Sequence, residues 1–126
     1  MSEVPHDISY VKILKVELLT PAASEHSQGL WGEYEVVNIG TAPTTDGDVV
    51  AAAVCFSGTV IHSKEHRLDN PVLEPNGGSF KGTFHFPWDQ LPYGGDWELV
   101  LQVDRPGIGE TSDAEHHPFT VDRPHP

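Results

Sequence analysis

The feature that most constrains this chain is a ladder of residues at every second position, Phe80, Gly82, Phe84, Phe86 and Trp88, with Lys81, Thr83 and His85 between them. Successive side chains of an extended strand point to opposite faces, whereas a helix would spread these rings around its circumference. The spacing therefore predicts a long strand that aims three Phe and one Trp at a core. The same period recurs in Trp97, Leu99, Leu101 and Val103, which alternate with Glu98, Val100, Gln102 and Asp104. It recurs again in Leu30, Tyr34 and Val36, set against Glu33 and Glu35. Between Tyr10 and Leu19, residues Leu14, Val16 and Leu18 alternate with Lys15 and Glu17 until Thr20-Pro21 stops the run. Leu and Lys also favour helix, so a helical reading competes for this one segment.

Val49 to Phe56 breaks the pattern, because V-V-A-A-A-V-C-F is apolar on both faces. Val50, Ala52, Val54 and Phe56 suit a core, which leaves Val49, Ala51, Ala53 and Cys55 as a flat outer face of small residues that needs cover. A loop or the chain's own tail is one cover; a surface for another chain, or for a second copy, is the other. Ser57-Gly58 reads as a tight turn into Thr59 to Ser63, so these segments form a hairpin. Lys64 to Asn70 reads as a polar connection, and Pro75-Asn76-Gly77-Gly78 as a turn. The final strand is expected to be short, Phe119 to Val121, and to lie at an edge.

With 12 Gly and 11 Pro falling between the apolar runs, and no long helix to cross between parallel neighbours, the economical solution is an all-β antiparallel sandwich of about seven strands. A closed barrel is the main alternative. The length suits a single domain over residues 1–126, with its ordered core from about residue 8 to residue 122 between short flexible tails.

Nineteen acidic against seven basic residues give a net charge of −12. Nucleic acid and anionic lipid both require a basic surface, so neither is an expected partner. No apolar run approaches the ~20 residues that span a bilayer. The first residues lack a basic segment followed by an apolar stretch, so no secretory signal is visible and the chain as written is expected to be cytoplasmic. The single cysteine, Cys55, cannot form an internal disulfide.

The search for chemistry is mostly negative. No Gly-x-Ser-x-Gly elbow is present, and Cys55 sits mid-strand beside Ala and Phe, where a thiol is a small inert hydrophobe. His62 and His66 have helical ligand spacing but leave a predicted strand, and no His-Glu-x-x-His motif completes a zinc site. His116, His117 and His125 read as surface residues. Asp104, Glu110 and Asp113 bracket the last loop and are candidate oxygen ligands for Ca²⁺, as is the Asp46-Gly47-Asp48 turn. Trp88 and Trp97 take the inward register; Trp31 is the one ring expected to be exposed, where it could stack on a sugar.

Four segments together resemble one known family. They are the strand Ile13 to Leu18; Val36-Val37-Asn38-Ile39-Gly40-Thr41-Ala42; the turn Leu73-Glu74-Pro75-Asn76-Gly77-Gly78-Ser79; and Leu99-Val100-Leu101-Gln102-Val103-Asp104 leading to Ile108-Gly109-Glu110 and Phe119-Thr120-Val121. In this order they are similar to CARDB, the cell-adhesion-related domain found in bacteria, an immunoglobulin-like sandwich. The paired Asn that the family carries after the acidic residues of its final loop are replaced here by His116-His117. The resemblance implies a non-catalytic module of adhesion, presentation or assembly, whose partner is another protein or a second copy, often on exported proteins. Two rival readings remain: a module that binds a small ligand, Ca²⁺ or carbohydrate, and a hydrolase whose residues meet only in the fold.

Overall fold

A computed structural model describes residues 8–20, 22–105 and 110–123. Pro21, Ile108, Gly109 and His125 lie outside the described residues, as does the side chain of Glu110. Seven long strands and one very short one form two sheets: β1 (Val11–Leu18), β2 (Ala22–Ala23), β3 (Gly29–Asn38), β4 (Val49–Phe56), β5 (Thr59–Arg67), β6 (Gly78–Pro87), β7 (Gly95–Arg105) and β8 (Glu110–Val121). One sheet has the order β1-β3-β6 and the other β2-β8-β7-β4-β5. All pairings are antiparallel except the two-residue contact of β2 with β8. The sheets stack as an open sandwich, so the barrel alternative does not apply.

The core lies where the alternation places it. Leu30, Val36, Val54, Phe86, Leu99, Leu101 and Val103 are fully buried between the sheets. Gly82 interrupts the aromatic ladder for a steric reason, since any side chain there would run into the ring of Tyr34 on the neighbouring strand. Phe84 is buried, whereas Phe80 is only partly covered. Trp88 leaves the strand altogether and enters a 3₁₀ turn, Trp88–Gln90. There it packs on the core, with the Arg123 guanidinium 4.0 Å from its ring centre.

Three expectations are corrected. The opening segment is a strand, but a bulge between Ile13 and Lys15 shifts its register, so Ile13 is 7% exposed and Leu14 is 57% exposed. A strict alternation cannot show an extra residue in one strand. Next, the strand from Thr59 continues through Lys64 to Arg67, because pairing with Val49–Val54 of β4 supplies the backbone bonds whatever the side chains. Finally, the last strand has twelve residues where three were expected, and it pairs with β7 along its whole length. Among the described residues, a strand pairs with its outer edge at Thr120 and Val121, where β2 lies alongside.

The segments Val36–Ala42 and Leu73–Ser79 meet at one end of the sandwich in a buried polar network. The Asn38 side chain is fully buried there. Its oxygen accepts the N–H of Tyr10 (3.1 Å) and of Gly40 (2.9 Å), and its nitrogen donates to the carbonyls of Ala42 (2.9 Å) and Leu73 (3.0 Å). Thr44 lies beside it, its hydroxyl donating to the Leu68 carbonyl (2.6 Å) and accepting the Leu73 N–H (2.7 Å). Gly40 and Asn76 complete the joint, with Asn76 N–H donating to the Gly40 carbonyl and Gly77 N–H to that of Asn38. Asn76 holds a φ of 62° and Gly77 of 124°, left-handed conformations that favour these residue types.

Replacing Asn38 by Ala strands four backbone groups at once, and Asn38→Ala is expected to cost about 3 kcal/mol or more, read as a lowered midpoint in urea. A second expectation concerns alkali. Burial pushes the Tyr34 hydroxyl up to about 12. An unfolded tyrosine ionises near pH 10, so between about pH 10 and 12 the unfolded chain releases a proton that the folded chain keeps, and stability falls as pH rises through this window. Below it the group contributes no pH dependence. Tyr34→Phe should therefore lose less stability than the wild type between those pH values in denaturant melts.

Candidate interaction surface

The register of the five-stranded sheet determines what its outer face carries. Ala51 of β4 lies between Glu65 of β5 and Gln102 of β7; Ala53 lies between Ser63 and Val100; Cys55 lies between Val60 and Glu98. Beyond β7 the rows continue on β8 to Ala114, His116 and Pro118. Small side chains on β4, flanked by larger ones, produce a shallow depression of about 240 Å³ lined by Ala51, Ala53, Cys55, Val60, Ser63, Val100 and Gln102. Val49 extends the same face, paired with Arg67 and Asp104.

Every lining residue belongs to β4, β5 or β7, so among the described residues no loop covers the depression. The tail does not cover it either, as far as it is described. Arg123 is anchored at the turn before β7, with Nε donating to the Leu91 carbonyl (3.0 Å) and a terminal nitrogen to that of Trp88 (2.8 Å). Among the described residues, then, neither a loop nor the tail lies over this face. Val60 stands at the margin, 57% exposed.

The rim is polar and carries Glu65, Glu98 and His116. His116 Nδ1 lies 2.9 Å from Glu98 Oε1. Burial pushes the Cys55 thiol up from its ordinary range, and the neighbouring Glu98 carboxylate pushes it further. Both effects disfavour the thiolate, the form that a nucleophile or metal ligand requires. The chemistry of this face is thus that of apolar contact framed by charge.

The remaining candidate residues are dispersed. Asp104 is paired with Val49 and shares the outer face, its carboxylate accepting from Gln102 Nε2 at 2.9 and 3.0 Å. Asp113 is paired with the buried Val103 and so turns to the opposite side of the sheet, where it accepts the N–H of Ile13 at 2.8 Å. The sheet separates these two carboxylates. Asp48 is buried and accepts from Ser9 Oγ (2.8 Å) and Thr45 N–H (3.0 Å), which makes it a brace of the β3–β4 connection. Among the described residues no group of three or more His, Cys, Asp or Glu is placed to hold a metal ion. His62 and His66 lie on β5, a strand and not a helix. Trp31 is 39% exposed, but one face of its indole is stacked on His85 at 3.7 Å and its N–H donates to the Ser27 carbonyl.

Two side-chain groups are not legible in the sequence. Lys64 and His66 were placed in a loop, and only the length of β5 brings them against β6. The brace formed by Asn38 and Thr44 was equally hidden, although the Val-Asn-Ile-Gly run marked its position.

No family model and no curated protein matches this sequence. Solved structures do match in fold. A CARDB domain from Pyrococcus furiosus, solved in complex with di-metal ions, is 14% identical with a TM-score of 0.58, over 95% of this chain and 94% of that one. The C-terminal domain of wzt is 13% identical with a TM-score of 0.61, over 97% of this chain and 81% of that one. A β-glucosidase involved in saponin metabolism from intestinal bacteria is 14% identical with a TM-score of 0.60, and 95% of this chain covers only 17% of it. No helix among the described residues is long and apolar enough to cross a membrane. The chain folds as the CARDB domain does, as an immunoglobulin-like β-sandwich.

Proposed function

We propose that this chain is a non-catalytic interaction or assembly module, and that the outer face of β4, formed by Val49, Ala51, Ala53 and Cys55, is its contact surface. The observation that carries the reading is the shallow apolar depression over these residues, which no other described part of the chain covers. Contiguous apolar surface rimmed by polar residues is the usual mark of a protein-binding patch. The fold supports the same reading, since the matching region is a small part of a much longer enzyme chain in the β-glucosidase. The partner is another protein or a second copy of this chain. A protein partner with a basic rim would complement Glu65 and Glu98 and the net charge of −12.

Ala53→Glu places a carboxylate in the middle of the depression while leaving the core face of β4 untouched. If the face joins two copies, the variant should keep the wild-type circular dichroism spectrum but run as a monomer in light scattering where the wild type does not, and lose the part of its melting temperature that assembly supplied. A wild type that is itself monomeric across the concentration range would reject the second copy as the occupant. An assembled mass unchanged by Ala53→Glu, with folding intact, would show that the contact lies elsewhere.

A further inference from the structure

The two long sides of the sandwich are built differently. On one, β1 runs beside β8, and the Asp113 carboxylate takes the N–H of Ile13 across the gap. On the other, the three-stranded sheet ends at β6 while the five-stranded sheet continues past β4 to β5. The smaller sheet is one strand short on this side, and a cleft follows the step. Its floor is Val50 and Ala52 of β4, and its walls include Lys64 and His66 of β5 and Thr83 and Phe84 of β6.

Side chains of β5 partly fill the space of the missing strand. The Lys64 ammonium lies 5.3 Å from the Phe86 ring centre and donates to the main-chain carbonyl of His85. His66 stacks on Phe80 at 4.8 Å with the rings nearly parallel, and its buried Nε2 has no hydrogen-bond partner among the described residues.

The bond from Lys64 also fixes which groups β6 presents. In an antiparallel ladder the backbone groups of alternate residues point to the same side. The Trp31 carbonyl is taken by the N–H of Leu19, just past the end of β1, so its partner His85 is not bonded to β3 and faces outward. Ser79, Lys81 and Thr83 share that orientation by alternation. Together these four residues offer a row of donors and acceptors to an incoming chain.

We propose that the free edge of β6 accepts one extended strand of a partner protein, apolar at alternate positions and carrying a carboxylate where it passes Lys64 and His66. Main-chain bonds to Ser79, Lys81, Thr83 and His85 supply the common part of the affinity, and the side chains that enter the cleft supply the selection. The incoming N–H replaces Lys64 at the His85 carbonyl, which frees the ammonium for the carboxylate, and the unpartnered His66 Nε2 is a second donor beside it. A second copy of β6 is excluded on geometry, because β5 projects beyond β6 in each copy and would hold two such edges apart by more than the ~4.8 Å of paired strands. The inference rests on the reading of the chain as an interaction module, but it concerns a surface different from the β4 face.

The test selects displayed peptides of about eight residues, the length of an ordinary strand, on the full chain, then titrates the strongest binder as a synthetic peptide while following each amide by NMR. Selected peptides should alternate and contain Asp or Glu, and the amides of Lys81, Thr83 and His85 should become protected from exchange. Thr83→Pro removes one edge donor at a position where an edge strand tolerates proline, and should weaken the peptide roughly tenfold with the circular dichroism unchanged. Protection elsewhere, no selectable peptide, or full affinity in a folded Thr83→Pro variant would overturn the proposal. If Thr83→Pro does not fold, the map of protected amides decides alone. Loss of binding in Ala53→Glu instead would move the contact to the β4 face, which sinks this inference and preserves the module. No peptide binding, together with a monomeric wild type that Ala53→Glu leaves unchanged, would count against both.

Discussion

The side chain of Asn38 bonds four backbone groups from three segments and ties those segments into one joint. It takes the N–H that leads into β1, closes the turn after β3 through Gly40 and Ala42, and holds the Leu73 carbonyl on the way from β5 to β6. A buried amide has four bonding sites, and here all four are used, so its burial costs little and its removal costs much. Thr44 repeats the arrangement one layer on, between Leu68 and Leu73. The connection between β5 and β6 crosses from one sheet to the other, and this network sets where it crosses. The placement of β6, and with it the open step beside β5, depends on that joint.

A sandwich with three strands on one side and five on the other cannot bury every face that its strands offer. The inner faces of β3, β4, β6 and β7 meet and form the core. Among the described residues, two of the apolar features left over bear on docking. One is the outer side of β4, whose small, half-buried residues sit in a depression between larger neighbours. The other is the step at β6, where Lys64 and His66 lay their side chains over Phe86 and Phe80. Both lie on the half of the molecule away from the β1–β8 side, which Asp113 closes.

Much of the fold was legible because period-two alternation is a local property. The bounds of Val49 to Phe56, the inward set of Leu30, Tyr34 and Val36, and the turn at Ser57-Gly58 all follow from neighbouring residues. The outer face of β4 was legible for the same reason, since two interleaved apolar sets can be counted directly. The carboxylates Asp104 and Asp113 misled because nearness along the chain says nothing about faces: a bulge and a pairing partner turn one outward and the other inward.

What the sequence by itself determined is which residues alternate, which strand is apolar on both sides, and where the chain must turn, because sterics and the pleat act over a few residues. What only the tertiary structure decided is how far β5 and β8 extend, where β1 bulges, and which sheet runs short. Those outcomes depend on the strand lying alongside, and its identity is fixed by contacts between residues tens of positions apart, which no local pattern contains.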